Sequence, residues 1–219
     1  MSNYKVDHSQ KWEYENGFYL TCETGRIGKF LNHMEIYKQI INLPGNILEF
    51  GVYKGTSLMR LFAFRELFEN QFSRKIIGFD AFGRFPKNLQ LETDVEFVKK
   101  FEGSGGEGIS LEDLKYCLNQ KNYVNYELVR GDINTTLPAW LQSHPEQRFS
   151  LIHIDVDVYE PSMTVLKNAY EKLVPGGILM LDDWGTVEGE TKAIEEFFDG
   201  NFQIQKPRFY HIPSYIVKI

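Results

Sequence analysis

Two short apolar segments that each end in a pair of acidic residues restrict the fold of this chain more than any other feature. They are LIHIDVD at 151–157 and GILMLDD at 177–183. Continuous apolar runs of this length are typical of strands that are buried on both faces of a parallel sheet. Because parallel strands end at the same edge of a sheet, we expect the two acidic ends to lie side by side.

This arrangement would bring together four carboxylates, those of Asp155, Asp157, Asp182 and Asp183. Such groups repel one another unless a cation or a proton offsets their charge. Hard oxygen ligands favour Mg²⁺, Ca²⁺ or Mn²⁺, so the sequence predicts a metal site. Helix capping and loop solvation are the alternative for the 182–183 pair taken alone.

Asp155 and Asp157 are two positions apart, so both face the same side if the strand stays extended. One of them could then bind a metal while the other accepts a proton from a substrate hydroxyl. The sequence therefore predicts a metal ligand and a general base within three residues.

Strand-like and helix-like segments alternate from residue 46 onwards. This alternation predicts right-handed βαβ units, hence a mostly parallel sheet with helices on both faces, a Rossmann-like α/β fold. Ligands of such sheets bind outside the carboxyl ends of the strands. The predicted strands are 46–52, 75–79, 126–130, 150–156, 177–181 and a closing pair at 202–206 and 214–219.

Length and composition indicate one globular domain, since the chain has 219 residues of which 42% are hydrophobic. We divide it into an N-terminal segment, 1–28, and a main domain, 29–219. The first segment is rich in aromatic residues and is predicted to be irregular. It could cap a site or pack on the core as a simple arm.

Charge and cysteine content exclude several functions. The net charge is −6 and no basic stripe is visible, so we expect no nucleic-acid partner. Two cysteines without zinc spacing indicate free thiols in a reducing compartment. We also expect no membrane association and no signal peptide, and therefore a cytoplasmic protein.

A glycine turn follows the first predicted strand. Gly51 and Gly55 allow a tight turn and a close approach of a ligand to the backbone, and the helix that begins near Thr56 offers free N–H groups. The spacing is G-x-x-x-G and not the G-x-G-x-x-G of dinucleotide-binding folds. A purely structural turn is the alternative.

Single aspartates end the next two strands. Asp80 could accept hydrogen bonds from the two hydroxyls of a ribose, and Asp132 could contact an adenine amino group. Each could instead be a loop or capping aspartate. Together with the glycine turn, they predict a nucleoside cofactor that lies across the first three strands.

Other polar residues near these motifs have less specific interpretations. His153 is predicted to be a buried histidine with satisfied hydrogen bonds and not a ligand. His211 could line a substrate pocket or belong to a turn, and Glu188 and Glu190 could face a substrate.

Four segments carry a resemblance to a known family: ILEFGVYKGTS at 47–57, IGFDAFG at 77–83, LIHIDVDVYE at 151–160 and VPGGILMLDDWG at 174–185. They resemble the macrocin O-methyltransferase family of class I S-adenosylmethionine-dependent enzymes. The chain is similar in particular to short bacterial members that methylate the 3-hydroxyl of 6-deoxyhexose nucleotide sugars. The resemblance implies a seven-stranded sheet with one antiparallel C-terminal strand.

The resemblance also implies roles for individual residues. Mg²⁺ would be held by Asp155, Asp182 and Asp183, with Asp157 as the candidate base. The predicted contacts to S-adenosylmethionine are Glu49, Gly51, Tyr53, Gly55, Thr56, Ser57, Asp80, Ala81, Phe82, Asp132 and Asp155.

The predicted function is therefore metal-assisted methyl transfer to a hydroxyl of a nucleotide-linked deoxysugar or related glycan precursor, by a homo-oligomer. A heptose or a small phenol is an alternative acceptor. The rivals of another class are an NAD-dependent sugar oxidoreductase and a non-catalytic S-adenosylmethionine-binding protein.

Overall fold

The computed structural model describes residues 6–86 and 89–219. Its helices are α1 (Lys11–Thr21), α2 (Thr24–Ile40), α3 (Thr56–Phe68), α4 (Glu92–Gly105), α5 (Leu111–Gln120), α6 (Ile133–Ser143), α7 (Tyr159–Ala169) and α8 (Glu188–Phe198). Its strands are β1 (Asn46–Phe50), β2 (Ile76–Asp80), β3 (Tyr126–Arg130), β4 (Phe149–Ile154), β5 (Leu173–Leu181) and β6 (Ser214–Val217). None of the helices in these residues is long and apolar enough to cross a membrane.

The strands form one sheet in the order β3-β2-β1-β4-β5-β6. All neighbouring pairs are parallel except β5 and β6, which are antiparallel. The Rossmann-like fold with an antiparallel C-terminal strand is therefore confirmed. Strands β2 and β3 follow on one side of β1, and β4, β5 and β6 follow on its other side. The strand order therefore reverses between β1 and β4, and the carboxyl ends of these two strands flank the crevice where this fold binds ligands.

The prediction of seven strands is wrong, because the described residues contain six. The segment predicted as a strand at 202–206 forms a single antiparallel bridge, between Gln205 and Tyr215. Pro207 and Pro213 follow it before β6 begins, and a proline has no N–H to donate to a ladder of hydrogen bonds.

The two faces of the sheet are covered by separate apolar clusters, because successive side chains along a strand point to opposite faces. In β1, Ile47 faces one cluster and Leu48 the other. In β4, Leu151 and Ile152 divide in the same way, and all four side chains are fully buried. This packing on both faces holds the strand ends in place as a rigid platform for the loops that follow them.

The prediction that the first 28 residues are irregular is wrong for the described part, which is helical over α1 and continues into α2 across the proposed boundary at residue 28. No residue of α1 is buried, and Trp12, Tyr19 and Leu20 are strongly exposed. Phe18 and Cys22 line the cavity described below. The roles of cap and arm both stay predictions.

Candidate active site

The carboxyl ends of the strands open into a cavity of about 770 Å³. Most residues predicted from the sequence line it, whereas Glu49, Gly55 and Phe82 do not. The predicted residues on its wall are Gly51, Tyr53, Thr56, Ser57, Asp80, Ala81, Asp132, Asp155, Asp157, Asp182 and Asp183. The fold thus brings the two predicted groups, the nucleoside-binding residues and the acidic cluster, into one space.

The glycine turn after β1 is a close contact between two strand ends. Gly51 has φ of +85°, and a Cβ added there would lie 1.7 Å from the carbonyl oxygen of Asp155. Gly55 also has a positive φ, of +82°. Only glycine at position 51 permits this approach, and the turn therefore fixes the distance between the β1 loop and the first acidic loop.

Asp80 at the end of β2 is tied to the glycine turn. Its Oδ2 accepts hydrogen bonds from the backbone N–H groups of Val52 at 2.7 Å and Tyr53 at 3.1 Å. Its Oδ1 accepts from the N–H of Phe82 at 2.5 Å. A carboxylate has about four acceptor positions, so about one stays available to a ligand. Both interpretations of Asp80, loop residue and ribose contact, are compatible with this geometry.

Asp132 and Glu49 also have structural partners. Asp132 caps α6 by accepting a hydrogen bond from the N–H of Asn134 at 2.9 Å. Glu49 lies beneath the cavity floor, where its Oε1 accepts a hydrogen bond from the hydroxyl of Ser57 at 2.5 Å. Complete burial raises the pKa of Glu49 to about 8. Glu49 therefore supports the loop through its hydrogen bond with Ser57, and its predicted contact with the cofactor stays a prediction.

The acidic edge has the geometry of a cation site. Oxygen atoms of Asp155, Asp182 and Asp183 lie within 4.8 Å of one another. Burial and the charge of Asp182 raise the pKa of Asp155 well above its ordinary value, and the same causes raise that of Asp183 to about 6. Two carboxylates with raised pKa values beside a third carboxylate are a donor set that a divalent cation would fit.

Asp157 belongs to the same acidic cluster. Burial, followed by the charge of the neighbouring Asp183, raises the pKa of Asp157 well above its ordinary value. Its φ is +65°, so the extended backbone assumed in the sequence argument ends before this residue. An aspartate tolerates this conformation better than most residues, but it remains strained, and such strain is common at active sites.

Asp182 differs from its acidic neighbours because cations and imidazoles surround it. Lys29 Nζ lies 2.5 Å from its Oδ2. Burial acts to raise the pKa of Asp182, but the adjacent rings of His153 and His33 and the charge of Lys29 bring it well below its ordinary value. Asp182 is therefore the member of the cluster that stays ionised.

The two histidines lie in the core beneath Asp182. The Nε2 atoms of His33 and His153 are 3.9 Å and 3.7 Å from Asp182 Oδ1. Neither ring has a hydrogen-bond partner among the described residues. Burial lowers the pKa of both, that of His33 to about 3. His153 is thus buried as predicted, and its nearest charged neighbour is Asp182.

Helix α8 braces both acidic loops. The N–H of Asp183 donates to Glu190 Oε1 at 3.0 Å, and the N–H of Glu190 donates to the carbonyl oxygen of Asp157 at 3.1 Å. Glu190 is fully buried, whereas Glu188 and His211 are exposed. None of these three residues lines the cavity, so they do not face a substrate there.

The sequence argument missed the basic residues of the cavity. Arg26, Lys29 and Arg60 line its wall. Arg26, Lys29 and His33 follow one another at i, i+3 and i+7 in α2, which places them on one face of that helix. This polar helix face could have been recognised in the sequence, but the sequence does not show which part of the fold it packs against.

The fold and this cavity together define a Rossmann-like protein in which a glycine turn and an acidic cluster line one cavity. The sequence profile of the macrocin-O-methyltransferase (TylF) family matches residues 23–211. The chain belongs to this family. The rival prediction of an NAD-dependent oxidoreductase is therefore not supported.

Two curated relatives are O-methyltransferases. Mycinamicin III 3″-O-methyltransferase of Micromonospora griseorubida is 28% identical over 163 residues, which cover 72% of this chain and 61% of the relative. The 4′-O-methyltransferase of Streptomyces olivaceus that acts on 8-demethyl-8-(2,3-dimethoxy-α-L-rhamnosyl)-tetracenomycin C is 25% identical over 173 residues, 75% and 62% of the two chains. The chain thus spans about three fifths of the length of these relatives.

A solved structure confirms the fold. The apo structure of CalS11, a TDP-rhamnose 3′-O-methyltransferase in calicheamicin biosynthesis, has a TM-score of 0.70 and 24% sequence identity. The match covers 98% of this chain and 88% of CalS11.

Proposed function

We propose that this chain is an S-adenosylmethionine- and Mg²⁺-dependent O-methyltransferase that methylates a hydroxyl of a nucleotide-linked deoxysugar or a related glycan precursor. One observation carries the proposal: the glycine turn at Gly51 and the acidic cluster of Asp155, Asp182 and Asp183 line the same cavity and touch at the Gly51–Asp155 contact. A methyl donor and a cation-bound acceptor would therefore meet there.

The cofactor would lie across β3, β2 and β1. Asp132 at the end of β3 would face the adenine, and the remaining acceptor position of Asp80 would receive a ribose hydroxyl. The backbone at Gly51, free of a Cβ, would allow the methionine part to pass close to β1. Tyr53, Thr56, Ser57 and Ala81 also line this part of the cavity and belong to the proposed contact set.

Asp155, Asp182 and Asp183 would hold Mg²⁺ through carboxylate oxygens. When bound there, the cation would supply Lewis acidity, which lowers the pKa of a coordinated sugar hydroxyl. Lys29 already neutralises part of the charge of Asp182 and keeps this ligand ionised. Ionised ligands are required because protonated carboxyls do not coordinate metal ions.

Asp157 would act as the general base. The O–H bond of the acceptor hydroxyl would break with transfer of its proton to Asp157, and the oxygen would form a bond to the methyl carbon. The carbon–sulfur bond would break at the same time, leaving S-adenosylhomocysteine. The cavity walls would supply much of the rate by aligning oxygen, methyl carbon and sulfur.

The acceptor could be a nucleotide-linked sugar or a sugar attached to a larger molecule. The name of CalS11 states a nucleotide-linked sugar, whereas the name of the tetracenomycin enzyme states a rhamnosyl group attached to a natural product. We favour the nucleotide-linked sugar because the cavity of about 770 Å³ also has to hold the cofactor. We further propose a cytoplasmic homo-oligomer, with no nucleic-acid partner.

The test measures release of S-adenosylhomocysteine with dTDP-, GDP- and UDP-linked sugars, each compared with the methyl glycoside of the same sugar. Turnover of one nucleotide-linked sugar, at least tenfold above that of its methyl glycoside, would support the proposal and identify the carrier. Equal turnover of the methyl glycosides would contradict the nucleotide-linked acceptor. A catechol is assayed in parallel, and its turnover without turnover of any sugar would replace the sugar by a phenolic acceptor.

A further inference from the structure

Two guanidinium groups on the cavity wall form no ion pair with the residues that the structure describes. Arg60 lies on α3, three residues after Ser57, and Arg26 lies near the beginning of α2. Both line the cavity. Within residues 6–86 and 89–219, neither side chain takes part in an ion pair or in a hydrogen bond. The Arg60 guanidinium instead lies 6.0 Å from the centre of the Phe30 ring.

Asp182, Glu49 and Asp155 are the acids whose charges act on Arg60, and none of them forms an ion pair with it. Asp182 is already paired with Lys29 at 2.5 Å. Glu49, whose pKa is raised to about 8 by burial, holds its proton at neutral pH. Burial lowers the pKa of Arg60, Asp182 raises it, and the charge of Arg26 lowers it again. A half-buried cation without a counter-ion is costly, so this part of the wall is suited to an anion.

We propose that Arg60 and Arg26 form an oxyanion-binding site, which receives a carboxylate or phosphate group of a small molecule bound in the cavity. A guanidinium group presents a planar fork of N–H donors that matches two oxygens of such a group. The first turn of α3, where Thr56 and Ser57 line the cavity, adds backbone N–H groups and the positive end of a helix dipole.

Two sources can supply this oxyanion, and both rest on the proposed function. One is the carboxylate of the methionine part of the cofactor, and the other is a phosphate of a nucleotide-linked acceptor. Asp80, the last residue of β2, and Asp132, just after β3, lie at the end of the cavity proposed for the nucleoside. Arg60 lies closer to the other end, because the charge of Asp182, directly after β5, acts on it. The site therefore lies towards the end of the cavity that a methionine tail would reach.

The experiment measures dissociation constants by titration calorimetry for S-adenosylhomocysteine, for its decarboxylated analogue and for inorganic pyrophosphate. The variants are Arg60→Gln, Arg60→Lys and Arg26→Gln. The control Arg148→Gln removes the same charge at an exposed position where β4 begins, at the opposite edge of the sheet. Thermal unfolding of each variant is followed in parallel.

If the cofactor supplies the oxyanion, Arg60→Gln weakens binding of S-adenosylhomocysteine by about 10- to 100-fold and leaves binding of the decarboxylated analogue unchanged. Arg26→Gln has a smaller effect in the same direction, since Arg26 is more exposed. Arg60→Lys recovers part of the loss because it keeps the charge without the fork. An unchanged affinity for the analogue shows that the variant is folded.

If the acceptor supplies the oxyanion, Arg60→Gln instead weakens binding of pyrophosphate and leaves that of S-adenosylhomocysteine unchanged. The proposal is overturned if Arg60→Gln changes neither affinity, or if it changes both no more than Arg148→Gln does. Failure of the wild-type protein to bind S-adenosylhomocysteine and its analogue would overturn the proposed cofactor, and the pyrophosphate titration would then decide the oxyanion site alone.

Discussion

The two halves of the cavity use acidic residues in opposite ways. On the nucleoside side, Asp80 accepts three backbone hydrogen bonds and Asp132 caps α6. On the side of β4 and β5, Asp155 and Asp183 face other carboxylates, and burial together with the charge of Asp182 raises their pKa values. Asp80 and Asp132 thus have hydrogen-bond partners in the protein and keep acceptor positions, whereas Asp155 and Asp183 lie against other carboxylates.

The first pair can therefore stabilise its loops as well as contact a ligand, whereas the second pair is suited to a cation. An acid that accepts hydrogen bonds from backbone N–H groups stabilises the loop. An acid that is crowded by like charges costs free energy in the empty protein and is relieved by a cation. We therefore expect the nucleoside side to respond to mutation mainly in stability and the acidic side mainly in turnover.

The largest effect is expected where the two sides touch. Gly51→Ala would place a Cβ 1.7 Å from the Asp155 carbonyl oxygen, in a backbone conformation that alanine disfavours. We expect a loss of more than about 4 kcal/mol in the free energy of unfolding, measured by urea denaturation. Gly103→Ala is the control, since a Cβ there meets no atom within 4 Å. Equal stability of the two variants would show that the loops are not held at this contact.

The next effect concerns turnover on the acidic side. Asp157→Asn removes the proposed base and should reduce kcat by about 10²- to 10⁴-fold, while binding of S-adenosylhomocysteine changes little. Asparagine tolerates the φ of +65° at this position, so the variant should fold. Asp199→Asn, at another positive φ of +49° and outside the cavity wall, is the matched control. Retention of full activity by Asp157→Asn would exclude it as the base.

A smaller effect is expected on the nucleoside side. Asp80→Ala leaves the N–H groups of Val52, Tyr53 and Phe82 without their acceptor. We expect a loss of roughly 1–3 kcal/mol in stability and a weaker affinity for S-adenosylhomocysteine. Chemical denaturation and calorimetry measure the two quantities. If affinity falls while stability is unchanged, Asp80 is a ligand contact alone, and the contrast between the two sides is lost.

The last effect is a change in pH dependence at Glu49, which lies between the two sides. Its pKa of about 8 exceeds its ordinary value of 4.5, because of burial. The folded state therefore holds a proton that the unfolded state releases, and this contribution to stability is lost as pH rises from 4.5 to 8. Glu49→Gln should reduce the loss of stability between pH 5 and pH 8, measured by urea denaturation. Exposed Glu188→Gln should leave the slope unchanged, and an equal slope in both variants would contradict the assignment.

Much of the fold was predictable because the strands are continuous apolar runs and the acidic residues follow them directly in the sequence. The end of β4 at Ile154, directly before Asp155, illustrates this. The basic wall was not predictable, since Arg60 and Lys29 belong to helices whose facing elements depend on tertiary packing. The backbone bonds to Asp80 and the positive φ of Asp157 also arise only when the loops meet.

The central claim is that the acidic side holds a cation that methyl transfer requires. The most direct measurement is the initial rate of S-adenosylhomocysteine formation by EDTA-treated protein as Mg²⁺ is added back, with Asp183→Asn compared with the wild type. The account predicts no turnover without the cation, saturable recovery in the wild type and a strongly raised Mg²⁺ requirement in the variant. Full turnover in EDTA, or identical Mg²⁺ curves for the two proteins, would contradict it.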